Sequence, residues 1–192
     1  MKLTEKSTVA DVAAAVSEAL SQAGFRAVLS GGGCASIYTR GLYQSVDLDF
    51  ILQTAVSQAE LDAAMATIGF ERRANQYLHS RVRLYVEFPP GPLSIGRDYE
   101  IHPIELEVKG HKILLLSPTD SCRDRLAAFL HWEDRQNLET AIQIALTRNV
   151  NFEEIRTWCE NEGAPEGFEE FMRGLELARK RREKRRRRKP SR

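Results

Sequence analysis

The chain has 192 residues, of which 42% are hydrophobic and 29% charged, and its net charge is +1. These values are ordinary for a globular protein of one domain, or of one domain with a helical appendage. No apolar run is long enough to span a membrane, the first twelve residues lack the apolar core of a signal peptide, and the three cysteines show no CxxC spacing. The sequence therefore argues against a membrane protein, a disulfide framework and a zinc site, and it predicts a cytoplasmic chain.

Helices and strands alternate over the first 70 residues of the sequence, as judged from apolar spacing, capping residues and glycines. The predicted elements are a helix capped by Ser7 or Thr8 and ended by Gly24, a strand from Phe25 to Leu29, a helix that begins near Cys34 and breaks at Gly41, a strand from Asp47 to Leu52, and a helix that begins at the Ser57–Glu60 capping box and stops at Gly69. This order predicts a layered arrangement of helices on a sheet.

The period of the apolar residues then changes to two, and after residue 116 it becomes helical again. The predicted elements are strands at Tyr77–His79 and Arg81–Phe88, a polar loop from Gly91 to Glu100, a hairpin of Ile104–Val108 and Ile113–Leu116, and helices that begin at Ser117, at Asp134, at Asn151 and near Pro165. The last helix is predicted to fray as it enters the basic tail. These changes divide the chain into an α/β domain at 1–116, a helical subdomain at 117–178 and a basic tail at 179–192.

Three consecutive glycines, Gly31 to Gly33, follow the first predicted strand. Such a run lets the backbone adopt positive φ and approach another group without a Cβ in the way. A helix that starts just after the glycines would point its first N–H groups at whatever lies over them, which favours an anion such as a phosphate. The alternative for the run is a tight turn alone.

Two aspartates, Asp47 and Asp49, stand two residues apart at the start of the second predicted strand. The period of a strand places both carboxylates on one face. The residues that follow them, 50–52, do not alternate, so the strand ends in a buried position and its charges require partners. A cation held by the aspartates would lie next to a phosphate held by the glycines. The alternative is an edge strand whose solvated face carries two acids.

The ordered combination of these motifs resembles the minimal nucleotidyltransferase superfamily, the polymerase-beta-like fold. The family pattern is a glycine pair, here Gly32-Gly33, followed after a gap by Asp-x-Asp between apolar residues, here Asp47-Leu48-Asp49-Phe50. The resemblance implies an α/β (α+β) fold in which a mixed sheet is flanked by helices and followed by a C-terminal helical subdomain. It also implies an NTP as substrate, Mg²⁺ as cofactor in the form of two ions, Asp47 and Asp49 as metal ligands, and Gly32 and Gly33 as the phosphate cradle.

The same resemblance implies a third carboxylate from a neighbouring strand, and Glu87 is the residue that matches it. It would ligate the metal with Asp47 and Asp49 or deprotonate the acceptor, so all three are the predicted catalytic and metal residues. By alternation Glu87 shares a polar strand face with Arg83 and Tyr85. An ordinary surface ion pair with a nearby arginine is the alternative.

Further nucleotide contacts are implied by the family and by its AbiE-type toxin branch, to which the segment at 114–145 is similar. A serine near the glycines, Ser30 or Ser36, would bind phosphate, and Arg40 would contact a phosphate or cap a helix C-terminus. The branch places a basic residue of the first C-terminal helix at the nucleotide. The nearest match is Arg123 or Arg125, and we assign this role to Arg125.

Asp134 and Arg135 would belong to a second site. The alternative for all these charged residues is that they only form the polar faces of amphipathic helices. The sequence departs from the branch at Tyr43, where arginine is frequent.

Charge is distributed unevenly along the chain. Residues 179–192 hold 11 of the 28 Lys and Arg residues and one of the 27 acidic residues, so the body is negative and the tail strongly positive. Such a tail is solvated, contacts nucleic acid, or docks on the body or a partner subunit.

The sequence therefore predicts Mg²⁺-dependent transfer of a nucleotidyl group from an NTP to a hydroxyl of RNA, such as a tRNA end, or of a protein. By analogy with the branch, the chain would be the toxin of a toxin–antitoxin or phage-defence pair, with a cognate antitoxin as partner. The alternatives are an antitoxin-type enzyme that modifies a partner toxin, and a catalytically idle module that binds RNA or a protein through the basic tail.

Overall fold

A computed structural model describes residues 2–188 of the chain as one mixed sheet with helices packed around it. The helices are α1 (Val9–Gln22), α2 (Gly31–Tyr38), α3 (Gln58–Ala66), α4 (Pro118–Trp132), α5 (Arg135–Thr147), α6 (Phe152–Asn161) and α7 (Pro165–Arg188). The strands are β1 (Ala27–Ser30), β2 (Asp47–Leu52), β3 (Phe70–Arg73), β4 (Gln76–His79), β5 (Val82–Glu87), β6 (Ile104–Val108) and β7 (His111–Leu115). The predicted fold class, a mixed sheet flanked by helices with further helices after it, is confirmed.

The strand order in the sheet is β3-β4-β5-β2-β1-β7-β6. Strand β2 lies in the middle, antiparallel to β1 on one side and parallel to β5 on the other. Strand β1 is also parallel to β7, which forms the predicted hairpin with β6. Because β2 is hydrogen-bonded along both edges, the side chains that it carries are held on an interior strand of the sheet.

The helix starts follow from capping side chains that satisfy the unpaired N–H groups of the first turn. Thr8 with Asp11 and Ser57 with Glu60 form complete capping boxes at α1 and α3. At α4, α5 and α6 the N-cap residues are Ser117, Asp134 and Asn151. All five positions match the helix starts that the sequence predicts.

Three details differ from the sequence predictions. Helix α2 begins at Gly31, not near Cys34, because the glycines form its first turn against β2. Strand β3 was not expected, because only Phe70 of its four residues is apolar and buried. The last helix extends through the tail as far as Arg188, since arginine and lysine are good helix formers and no glycine or proline interrupts them. Residues 189–192 of the predicted tail lie outside the described part of the chain.

The C-terminal helices share the core of the α/β part. Helices α4 and α5 pack on α2, and α6 and α7 pack on each other. Phe171 and Leu175, on the first half of α7, are completely buried. The predicted boundaries at residues 116 and 178 remain a proposal, and α7 runs across the second of them.

Each of the three cysteines, Cys34, Cys122 and Cys159, is a buried free thiol. Burial raises the pKa of the Cys34 and Cys159 thiols to about 12, and it raises the pKa of Cys122 as well. Cys34, next to the glycines, is therefore a packing residue and not an activated nucleophile. None of the helices within residues 2–188 combines the length and the apolar character needed to cross a bilayer.

Candidate active site

A small cleft of about 190 Å³ opens where the first turn of α2, the start of β2 and the start of α5 come together. The sheet side of the cleft is lined by Gly32, Ser45, Asp47 and Asp49, and its helical side by Arg125, Asp134 and Asn137. Residues far apart in the sequence thus meet at one polar opening. This opening contains the aspartate pair that the sequence singles out.

The glycines place the N-terminus of α2 directly against the aspartate strand. Gly31 has φ +61°, and a Cβ at this position would collide with the Asp49 carboxylate. A Cβ on Gly32 would collide with Ser45 Oγ, and one on Gly33 would lie 3.3 Å from the Cα of Leu48. The glycine run is therefore not only a turn, because it lets the positive end of a helix approach β2.

Two side chains orient Asp47: Ser45, two residues before it, and Tyr85, on the paired strand β5. Ser45 Oγ donates a hydrogen bond of 2.5 Å to Asp47 Oδ1, and the hydroxyl of Tyr85 lies 3.5 Å from Oδ2. The backbone N–H of Ser45 in turn donates to Ser36 Oγ over 2.9 Å. Ser36 thus supports the loop that holds Asp47, and it does not line the cleft itself.

Asp49 is a partly buried carboxylate among other carboxylates. Burial, followed by the charges of Asp47 and Glu87, raises the pKa of Asp49 to about 7. The charge of Arg125 lowers the pKa of Asp49, but it does not offset burial and the neighbouring acids, so the site is short of positive charge. A bound cation would supply that charge.

Glu87 lies opposite Asp49 on the neighbouring strand β5, but Asp47, Asp49 and Glu87 do not form a compact three-carboxylate cluster. Strands β2 and β5 pair in parallel so that Asp49 stands opposite Glu87. The Glu87 carboxylate accepts a hydrogen bond of 2.8 Å from Gln76 Nε2. Among residues 2–188, no group of three or more His, Cys, Asp or Glu side chains is arranged to hold a metal ion.

The oxygen atoms of the aspartate pair suit Mg²⁺, the ion that the family resemblance implies. Mg²⁺ is commonly bound through one or two carboxylates together with the phosphates of a substrate, so two aspartates are a sufficient protein contribution. Asp47 and Asp49 offer oxygen ligands from one strand face, and burial together with the neighbouring acids raises the pKa of Asp49. The cleft therefore has the donor chemistry for such an ion, with Glu87 as a neighbour at the side.

Of the two arginines on α4 that match the toxin branch, only Arg125 lines the cleft. Its guanidinium donates to Asp124 over 2.7 Å and to Asn137 Oδ1 over 3.0 Å, which holds it at the opening. Burial opposes its charge, but Asp124 and the nearby acids keep the pKa of Arg125 above its ordinary value. Arg123 is instead buried and forms ion pairs with Asp98, Asp120 and Glu154.

Other predicted contact residues lie outside the cleft. Ser30 Oγ donates to the backbone carbonyl of Asp49 over 3.4 Å and so ties β1 to β2. Arg40 follows the far end of α2 and lines a separate groove of about 520 Å³ beside the start of α1. Arg135 pairs with Glu170 and links α5 to α7.

Asn137 lines the cleft although no sequence motif indicates it. Asp134 caps α5 and accepts a hydrogen bond of 2.9 Å from Asn137 Nδ2, while Asn137 Oδ1 receives Arg125. Tyr43 also lines the opening. The capping pattern at Asp134 predicted the helix start, but nothing in the sequence indicated that this start faces the aspartates.

No known family model matches the sequence, and no curated protein matches it. Several solved structures resemble the fold. An antigenic nucleotidyltransferase-like protein from Paracoccidioides brasiliensis is 15% identical, with a TM-score of 0.53 over 73% of this chain and 77% of that one. The solution structure of the antibiotic-resistance factor ANT(2″)-Ia is 11% identical, with a TM-score of 0.52 over 87% of this chain and 94% of that one.

The crystal structure of ANT(2″)-Ia in complex with adenylyl-2″-tobramycin gives a TM-score of 0.55 at 11% identity, over 80% of this chain and 95% of that one. At such low identity the likeness establishes architecture and leaves the chemistry to be argued from the side chains. The AbiE-type branch is not represented among these three structures. The chain has the mixed α/β fold of nucleotidyltransferases.

Proposed function

We propose that the chain transfers a nucleotidyl group from an NTP to an acceptor hydroxyl in an Mg²⁺-dependent reaction. The observation that carries this proposal is the convergence of Asp47 and Asp49 with the first turn of α2 and with Arg125 at one cleft. Nucleotidyl transfer requires mainly positioning and the neutralisation of phosphate charge, and these groups supply both. The fold shared with nucleotidyltransferases supports the proposal.

Each group then has a distinct task. Asp47 and Asp49 would hold Mg²⁺, which supplies positive charge to the phosphoryl and leaving oxygens. The first N–H groups of α2 and the Arg125 guanidinium would bind the phosphates. The acceptor oxygen forms a bond to the α-phosphorus, the bond to the pyrophosphate oxygen breaks, and pyrophosphate leaves. The acceptor proton passes to a base, for which Glu87, opposite Asp49, is the candidate.

The nature of the acceptor is a finer part of the proposal. The ANT(2″)-Ia complex holds tobramycin with an adenylyl group at its 2″ position, which supports a hydroxyl acceptor for this chain as well. A role as the toxin of a toxin–antitoxin or phage-defence pair rests on the AbiE-type resemblance alone. Growth arrest on expression of the native chain, absent with Asp47→Asn/Asp49→Asn, would support that role, and equal growth with both would oppose it.

Calorimetric titration of ATP, CTP, GTP and UTP in the presence of Mg²⁺ tests the nucleotide site. We expect at least one NTP to bind the native chain and its binding to disappear when Mg²⁺ is chelated. The variant Asp47→Asn/Asp49→Asn should lose the metal-dependent binding, because the carboxylate ligands are gone while the side-chain size is kept. Heat of binding per NTP is the measured quantity.

A matched control is available on the edge strand β6, where Glu105 and Glu107 show the same two-residue spacing in exposed positions. The variant Glu105→Gln/Glu107→Gln removes the same charge and should bind NTP as the native chain does. Equal loss in both variants would mean that overall charge, not the cleft, governs binding. A folded native chain that binds none of the four NTPs would favour the idle module.

A further inference from the structure

The second half of α7 is a continuous, strongly basic helix. From residue 179 to 188 it carries seven arginines, two lysines and one glutamate, without a single apolar side chain. Residues 179–185 are all exposed, whereas Phe171 and Leu175 on the same helix are buried in the core. The helix therefore begins as a packing element and presents an exposed basic surface at residues 179–185. We call the whole basic part of this helix, residues 179–188, the basic end of α7.

Among the described side chains of this end, at 179–185, few contacts offset the positive charge. Lys180 forms an ion pair with Glu176, and Arg182 donates to the carbonyl of Leu146 at the end of α5. Like charges three and four residues apart repel one another along a helix. A polyanion that neutralises several of these side chains together would stabilise the basic end, whereas a single carboxylate would not.

We propose that the basic end of α7 binds the sugar–phosphate backbone of a nucleic acid. Arginine and lysine neutralise phosphates and release the counterions that surround them, so affinity grows with the number of contacts. Arginine predominates here, and its planar guanidinium suits bidentate contact with phosphate oxygens. The rest of the chain is acidic, which directs a polyanion to this end and away from other surfaces.

The composition of the basic end favours a nucleic acid over a membrane. A helix that lies on a lipid surface buries an apolar face opposite its charged one. Residues 179–188 have no apolar side chain to bury, so only the charged component of such an interaction is present. The density of positive charge, nine basic residues within ten, matches a chain of regularly spaced phosphates.

Helix α5 links the basic end to the cleft. Its first turn carries Asn137 at the cleft, while Leu146 near its other end receives Arg182 from α7. Nine residues of helix separate these two positions, which corresponds to about 14 Å along the axis. A strand that follows α5 from Arg182 to the cleft would thus span roughly four stacked nucleotides.

If the chain transfers a nucleotidyl group as proposed, this geometry also indicates the class of acceptor substrate. This part of the inference rests on the proposed function. The acceptor hydroxyl would be the terminal hydroxyl of a nucleic acid whose body is held by α7. A mononucleotide acceptor would gain nothing from the basic end, because it is too short to touch both places. Binding itself does not depend on the cleft and is tested separately.

The test is fluorescence anisotropy with labelled 20-nucleotide single strands of RNA and of DNA of equal sequence, titrated with full-length protein at 50 to 300 mM KCl. The test variant changes Arg181, Lys184 and Arg185 to glutamine; the control variant changes Lys6, Arg81 and Lys112, which are exposed on the body, to glutamine. The test variant should bind about 10- to 100-fold more weakly at 100 mM KCl, and its slope of log K against log salt should be smaller by about 2. The control should bind like the native chain, and the RNA and DNA arms tell which strand is preferred.

The outcomes separate this inference from the proposed function. Native affinity in the test variant, an equal loss in the control, or binding to phosphatidylserine vesicles without binding to either strand would overturn it. The variant Asp47→Asn/Asp49→Asn should keep its strand affinity even though it loses NTP binding. If strand binding holds and no NTP binds, the inference stands while the proposed function fails; the reverse pattern removes the inference and leaves the function.

Discussion

Replacing Asp49 by asparagine is expected to lower nucleotidyl transfer by at least about 10³-fold while making the metal-free chain more stable at pH 8. The loss of activity follows from the proposed role of Asp49 as a metal ligand, because such a ligand contributes several kcal/mol to the transition state and about 1.4 kcal/mol corresponds to tenfold in rate. The gain in stability follows because burial, Asp47 and Glu87 all disfavour the charged form of Asp49. Activity and stability thus oppose each other at this residue.

The direction of the pH dependence is fixed by the raised pKa. In the unfolded chain Asp49 ionises near its ordinary value of 3.8, and in the folded chain its pKa is about 7. Its contribution to stability is therefore fully present below about pH 4 and is lost as the pH rises through 7. One pKa unit corresponds to about 1.4 kcal/mol, and with screening in the open cleft we expect a loss of about 2 kcal/mol.

Urea unfolding at pH 5 and at pH 8 in the presence of a chelator measures this effect. The free energy of unfolding of the Asp49→Asn variant should exceed that of the native chain at pH 8 and approach it at pH 5. Glu105→Gln, on the exposed edge strand, serves as the control and should show no such pH-dependent difference. A variant that is less stable than the native chain at pH 8 would contradict the electrostatic account of the cleft.

Replacing Gly31 by alanine is expected to destabilise the chain by about 3 kcal/mol or more. Alanine at φ +61° has an unfavourable backbone, and its Cβ would in addition collide with the Asp49 carboxylate. Gly24 has a similar φ of +79°, but a Cβ there would meet no atom within 4 Å. Gly24→Ala should therefore cost only the backbone component, about 1 kcal/mol.

A double-mutant cycle isolates the contact between α2 and the aspartate strand. Combining Gly31→Ala with Asp49→Ala removes the carboxylate that the new Cβ would strike, so the effects of the two substitutions on stability should not add. We expect an interaction energy of about 1 to 2 kcal/mol from urea unfolding of the four chains. Simple additivity would show that the first turn of α2 does not lie against Asp49.

The sequence predicted most elements of the fold because their local patterns agree with their tertiary positions. The capping residues of five helices and the alternation in β5 and β6 were sufficient for those elements. Strand β3 escaped prediction because its place is set by pairing with β4, and a sequence of one apolar and three charged residues carries no period. Pairing partners far along the chain are not encoded by local spacing.

The candidate site was predictable in part for the same reason. Asp47 and Asp49 lie on one strand, so their common face followed from the period of two. Arg125 and Asn137 reach the cleft only because α4 and α5 pack on α2, and that packing depends on the whole core. Arg40 shows the converse, since closeness in sequence to the glycines did not bring it to the cleft: the glycines form the first turn of α2, and Arg40 lies beyond the other end of that helix.

The three buried thiols give the protein internal probes of its own opening. Cys34, Cys122 and Cys159 lie on α2, α4 and α6, and a thiol is alkylated only when it becomes exposed and forms the thiolate. The rate of alkylation under native conditions therefore reports the fraction of molecules in which each helix has come away from the core. The opening of three helices can thus be compared in the native chain without denaturant. The alkylation rate of Cys34 reports on α2, which carries the glycines, and the rates of Cys122 and Cys159 report on α4 and α6.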